Sequence, residues 1–495
     1  MNYLARLLAI PEGHPQRWLA TAFVAVALAC LMAGIALESV PLMLAPAGIA
    51  VAWLTVVDIK KVYFLMLGTI PISTEVSLPG GLGTDFPSEQ LMWLLTLGGI
   101  IWLAGHWKEV DARFLRHPIS LALLAHLLWL TLCVATSQNF VMSFKHLLAK
   151  GWYIAVFYLW AGHFFQKEKD FGQLLWWFFL PLFFATLSVI VRHASFSFSF
   201  ETINNCLAPF FRNHVMYACL LAIFLPFSWY GTYWYRRFSG RWWLLVAGIL
   251  VFLVGINFAY TRAAYGALVL AVGIYWVVRW RLLKAALMAT AVFFALFFAF
   301  LGKGDNWLEF APDYERTITH KSFDRLLEAT TKLEDISTME RVYRWVAAVN
   351  MVKDKPLLGF GPATFYTHYK NYTVTSFRTY VSDNPEKSST HNYFLMLAAE
   401  QGIPGLFFFL FFCIVVVLVG ERAYQQTRAR GLRVMGMAAL LCFALTNILM
   451  LMNDFVETDK IGSLFFISAA ILVNLDLNNK YKPTQPEETH QYEPT

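Results

Sequence analysis

The chain has 495 residues, 58% of them hydrophobic and only 14% charged, with a formal net charge of +7. Its mean hydropathy is +0.53. A soluble domain is nearly a quarter charged, so a water-soluble globular protein is excluded and an all-α polytopic membrane protein is indicated. The surplus Lys and Arg suits the loops of such a protein and calls for no nucleic-acid partner.

Apolar runs fall near 18–36, 41–57, 62–72, 88–105, 119–135, 146–164, 172–191, 214–233, 243–259, 264–278, 285–301, 393–419, 434–453 and 461–475. They predict about 12–14 transmembrane helices. The 62–72 and 461–475 runs are short for a span, which suggests tilted, re-entrant or bundle-buried segments. The amino terminus has no short apolar region followed by a small-residue cleavage site, so no removable signal peptide is expected. The six cysteines are scattered, without CxxC, and predict neither a disulfide framework nor a thiolate metal site.

Basic residues concentrate in alternate connections, including Lys60 and Lys61, Arg113 and Arg116, Lys167 and Lys169, Arg236 and Arg237, Arg422 and Lys480. The positive-inside rule then places both termini in the cytoplasm and residues 302–390 on the far side, the periplasm of a Gram-negative cell. The chain is thus expected to comprise an amino-terminal bundle (1–301), a large periplasmic loop with amphipathic helices (302–390), carboxy-terminal helices (391–476) and a disordered cytoplasmic tail (477–495).

Within the loop, Ser337 and Glu340 fit a capping box. Val342, Trp345, Val346 and Val349 make a helical apolar stripe, with Arg341 and Arg344 on a neighbouring face. Lys355-Pro356 ends the helix, and Gly359, Gly361 and Pro362 make a turn. The stripe predicts packing on the bundle or the membrane interface, with the arginines near the headgroups.

Charge beside a membrane is costly unless used. His391 stands where the loop meets the next apolar run. It is either a helix-end residue or a general base able to accept a proton from a hydroxyl. Arg262 lies between two runs joined by almost no loop, and Arg212 opens another. Each is a headgroup anchor or a donor to an anionic leaving group, for which the planar guanidinium is suited. The same choice applies to Arg341 and Arg344. No DxD, HExxH or Cys/His cluster occurs, so no metal and no cofactor is expected.

Three segments, in order, resemble the O-antigen ligase and O-antigen polymerase superfamily of bacterial membrane glycosyltransferases. YTRAAYGALVLAVG around Arg262 resembles its Ser/Thr-Arg-Gly segment, with Ala263 and Ala264 where glycine is often seen. ERVYRWVAAVNMVKDKPLLGFGPATF resembles its R-x-x-x-W … P-L-x-G-x-G-x-x-x-F element. THNYFLMLAAEQGIPG resembles its H-N/S … E-x-G-x-x-G element. Arg212-Asn213 resembles a polar element before a mid-chain span.

The resemblance implies an undecaprenyl-pyrophosphate-linked glycan donor and an acceptor hydroxyl on lipid A core or another glycan. It further implies inverting, metal-independent transfer at the periplasmic face of the inner membrane. His391 and Arg262 become the catalytic candidates. Arg212, with Arg341 or Arg344, would bind pyrophosphate, while Asn392, Glu400 and Gly402 would support the helix carrying His391. Polymerase activity, or lipid-linked glycan transport without catalysis, are the alternatives.

Overall fold

The computed structural model describes residues 16–78, 82–303, 336–378, 382–384 and 388–481. These residues are almost wholly helical. In chain order the main helices are α1 (Gln16–Ala36), α2 (Val40–Val57), α3 (Ile59–Thr69), α4 (Ser88–His106), α5 (Pro118–Ala135) and α6 (Phe140–Ile154). Next come α7 (Glu168–Ala194), α8 (His214–Gly231), α9 (Gly240–Phe258), α10 (Arg262–Arg279) and α11 (Leu283–Gly302). Then follow α12 (Ile336–Asp354), α13 (Tyr393–Gln426), α14 (Arg430–Leu449) and α15 (Asp459–Tyr481). The protein is a polytopic all-α membrane protein. Among the described residues, nine helices are long and apolar enough to cross a membrane, and α1 and α2 add two shorter apolar helices.

Local chemistry sets the helix starts. Asn139, Asn213, Ser239 and Asn392 each accept a hydrogen bond from a backbone N–H three residues on, which satisfies one of the donors a helix start leaves open. Pro118, which lacks an N–H, opens α5.

The bundle is built around α15, the helix expected to be doubtful. Its span is 89% buried, whereas none of the α11 window is. Phe465 of α15 stacks on Phe443 of α14, ring centroids 4.4 Å apart, and meets Phe412 of α13 edge-on. The apolar run reads short because polar residues bound it, and each has partners. Lys460 donates to Ile70 O (2.8 Å) and Ser73 O (2.9 Å), and Asp459 accepts from Ser88 (2.6 Å). Asn474 donates to Gly162 O and Phe165 O, and Asp476 binds His117, Arg422 and Lys480. Buried polar groups persist when bonded in this way. The helix continues to Tyr481, beyond the expected start of the tail. The other doubtful run is α3, whose 11 residues are too few to span. Beyond it lies a hairpin that apolar runs alone did not predict, β1 (Thr74–Leu78) against β2 (Leu82–Phe86), antiparallel with Glu75 opposite Asp85.

The expected helix of the large loop is α12, but its buried face differs from the predicted stripe. Met339, Tyr343, Ala347 and Met351 are buried at fourfold spacing, whereas Val349 is 40% exposed. Ala347 lies outside the predicted stripe; its small side chain allows close packing against α13, where Ala399 belongs to the same apolar cluster. The expected cap Ser337 lies within the described part of this helix, which runs from Ile336. Residues 304–335 lie outside the described residues.

The glycine turn after α12 seats into a break in α13. Gly402 adopts φ 71°, ψ 177° inside that helix. The break leaves carbonyls without helical partners, and other segments supply donors. Phe360 N donates to Ala399 O (3.1 Å), Gly361 N to Glu400 O (2.9 Å), and the Trp129 indole to Gln401 O (2.9 Å). Ile403 N in turn donates to Pro356 O (2.8 Å). A Cβ on Gly402 would overlap Leu357 O, and one on Gly359 would overlap the Glu400 backbone, so both positions require glycine.

Gly402→Ala therefore combines a left-handed backbone with a backbone clash, and is expected to destabilise the protein by at least about 1–3 kcal/mol. Gly105→Ala, where a Cβ meets nothing within 4 Å, is the control. Thermal unfolding in detergent should show a lowered midpoint for Gly402→Ala alone; equal midpoints would contradict this account of the break.

Candidate active site

Residues 389–392 form the short link into α13. Thr390 and Asn392 bond each other in both directions, Asn392 N donating to Thr390 Oγ1 (3.1 Å) and Thr390 Oγ1 donating to Asn392 O (2.7 Å). His391 is held between them at φ 52°, in the left-handed region. Two side chains of α12 grip the same link: Arg344 Nη1 donates to Ser389 O (3.2 Å) and Trp345 Nε1 to Thr390 O (3.0 Å). The arginine–tryptophan segment of the loop thus fixes the backbone that presents the histidine.

The imidazole is half-buried. Its Nδ1 lies 3.2 Å from Asn453 Oδ1. That atom is identified as the amide oxygen because it also accepts from Asp454 N (3.0 Å). Nδ1 therefore carries the proton, and Nε2 keeps the lone pair of a base. Burial, then the Arg341 and Arg344 guanidiniums, push the imidazole down to about 4, against the Asn453 hydrogen bond. At neutral pH the ring is uncharged.

The two loop arginines are not equivalent. Arg344 is 6% exposed, pairs with Glu340 across 3.5 Å, and braces Ser389. Glu340 also accepts from Ser382 (2.6 Å). Arg341 is half-buried, and its charge reaches both His391 and Cys219 of α8. It thus lies in the space between α8 and the histidine.

Arg212 is exposed, 3.9 Å from Glu75 of the hairpin, and its charge reaches Asp454. Burial raises the Asp454 carboxyl above its ordinary range, opposed by a Ser389 hydrogen bond and by Arg212. Arg262 is the first residue of α10. Its neighbour Thr261 donates to His214 O (3.4 Å), so Arg262 lies beside the start of α8, which begins two residues after Arg212. Thus Arg341 and Arg344 surround His391 electrostatically, Arg212 joins through Asp454, and Arg262 is held from the α8 side. Asn392 caps α13 through Leu395 N (3.1 Å). Glu400 lies deeper and accepts from Ala363 N (2.8 Å) and Phe365 N (2.9 Å), tying down the glycine turn.

The link between α14 and α15 supplies residues that sequence reading missed. Besides Asn453 and Asp454 there is Glu457, which accepts from Lys150 (2.7 Å) and from the Tyr393 hydroxyl (2.8 Å). Burial opposes its ionisation, but Lys150, His146 and the Tyr393 bond hold it down at about 2. The available signal was NDFVETD, a polar and acidic stretch between two apolar runs.

These features define a multi-pass helical membrane protein with a neutral histidine at a helix mouth and several guanidiniums on the same face. Residues 247–410 match the family model described as O-antigen ligase, and over that segment the chain is similar to that family. The matched segment holds Arg262, Arg341, Arg344, His391, Glu400 and Gly402 but not Arg212. No curated protein matches the chain.

Because the folded imidazole is depressed, the unfolded chain binds the extra proton between about pH 4 and the ordinary histidine value near 6.5. His391 therefore favours the folded state above about 6.5, and that contribution is lost as pH falls through about 4. Arg341→Gln removes one repulsive charge and should raise the His391 pKa. Titration of the ring by NMR checks this, and an unchanged or lower value would contradict the placement of Arg341.

Proposed function

We propose that this protein is an O-antigen ligase, transferring a glycan from undecaprenyl pyrophosphate to a hydroxyl of lipid A core at the periplasmic face of the inner membrane. The observation that carries the proposal is the neutral His391 imidazole, its Nε2 unprotonated, beside Arg341 and Arg344. His391 Nε2 takes the proton of the acceptor hydroxyl as its oxygen attacks the anomeric carbon. The bond from that carbon to the pyrophosphate oxygen breaks, and undecaprenyl pyrophosphate leaves with the electron pair. Attack opposite the leaving group inverts the anomeric centre.

Arg262, Arg212 and Arg341 stabilise the charge developing on the pyrophosphate. Arg341 is assigned this role because its charge reaches both His391 and α8, whereas Arg344 braces the Ser389 carbonyl. The same charges explain how a depressed imidazole acts as a base. A bound pyrophosphate offsets the guanidinium field, so His391 gains basicity when the donor is in place. Asn392, Glu400 and Gly402 hold the helix and the turn that position it.

Purified protein with a lipid-linked glycan and lipid A core tests this reading. His391→Ala should insert and fold normally yet lose transfer by about 10²–10⁴-fold; near-normal transfer would sink the base assignment. Arg262→Lys should also be severe, since one ammonium cannot replace a two-pronged guanidinium, and full activity would make it an anchor. Product formed only with a second lipid-linked repeat as acceptor would identify a polymerase.

A further inference from the structure

At the membrane face opposite His391, α5 begins and α15 ends. A cleft of about 360 Å³ opens there, lined by Arg113, Arg116, His117, Pro118, Leu477 and Lys480. Sequence reading took these cations as topology signals from separate loops, but the fold brings them to one place.

The cleft carries more positive charge than its own carboxylates neutralise. Asp476 is fully buried and serves three groups: His117 Nε2 (3.1 Å), Arg422 (3.1 Å) and Lys480 (2.7 Å). His117 accepts from Ile119 N at Nδ1 (3.3 Å) and faces Asp476 through Nε2. One carboxylate therefore faces two full cations. Arg113 is satisfied by Asp111 (2.8 Å). Arg116 is exposed and has no ion-pair partner among the described residues. The amino-terminal end of α5, the positive end of that helix, points into the same cleft at Pro118.

The surface leading into the membrane from this cleft is apolar. Leu121, Leu124, Leu128 and Leu132 are 51%, 49%, 64% and 46% exposed and lie at helical spacing along α5. A cationic cleft above an exposed apolar stripe matches a ligand with an anionic head and a hydrocarbon chain.

We propose that this cleft binds the phosphate of an anionic phospholipid, with Arg116 and Lys480 on the phosphate and an acyl chain along the α5 leucines. Arg116 is the informative contact, because its guanidinium can form two parallel hydrogen bonds to phosphate oxygens. The site is separate from the His391 chemistry and does not depend on the function proposed above.

Native mass spectrometry of the full-length protein, with phosphatidylglycerol and phosphatidylcholine of identical chains, tests the proposal. The wild type should retain phosphatidylglycerol in preference. Arg116→Gln, which removes no internal bond, should weaken that preference by about fivefold, and Arg116→Gln/Lys480→Gln should weaken it further. Equal retention of the two lipids by the wild type, or an unchanged preference in Arg116→Gln, would overturn the proposal. Displacement of phosphatidylglycerol by millimolar inorganic phosphate would identify a free-phosphate site and would overturn the lipid assignment; persistence of the lipid would support it.

Discussion

The break in α13 at Gly402 is the constraint on which the site depends. A helix crossing a membrane cannot leave backbone carbonyls without donors, because lipid supplies none. Here the freed carbonyls of Ala399, Glu400 and Gln401 accept from Phe360, Gly361 and Trp129. The loop after α12 is thereby bonded into the membrane helix rather than lying over it. Because α12 and its turn are one segment, seating the turn also sets where Arg344 and Trp345 meet the Ser389 and Thr390 carbonyls. The histidine is located by this chain of bonds from the glycine interlock outwards.

Charge around the histidine is arranged in two parts. On one side, Arg341 and Arg344 disfavour the imidazolium, with burial the larger cause. On the other, the α14–α15 link brings Asn453, which sets the tautomer, and the acidic pair Asp454 and Glu457. Glu457 is matched by buried Lys150, so the acidic stretch does not cancel the guanidiniums beside His391. In the proposed reaction, a neutral base beside guanidiniums suits an anionic donor.

Much of this was legible in the sequence. Hydropathy gives the helical membrane class, and the ordered segments mark Arg341 and His391, which the fold brings close enough to interact. The glycine turn was legible as a turn but not as a lock, since its partner at Gly402 is far along the chain. Arg341 and Arg344 could not be told apart three residues apart on one helix, because the contact that marks Arg344, its bond to the Ser389 carbonyl, comes from a segment far along the chain. The buried face of α12 was misread because Ala347 and Ala348 are weak hydrophobic signals but permit close approach. Asn453 escaped notice because an amide carries no charge to mark it. The basic residues of α5 and α15 looked like ordinary topology signals because their convergence depends on which helices are neighbours.

The central claim is that His391 is a base whose strength depends on the donor's charge. The pH dependence of glycan transfer measures this, comparing kcat/KM for the lipid-linked donor with kcat at saturating donor, which report the free and the donor-bound enzyme. The account predicts an acid limb near pH 4 for the free enzyme and a limb at distinctly higher pH once the pyrophosphate is bound. Coincident limbs, or a limb that moves to lower pH on donor binding, would contradict it.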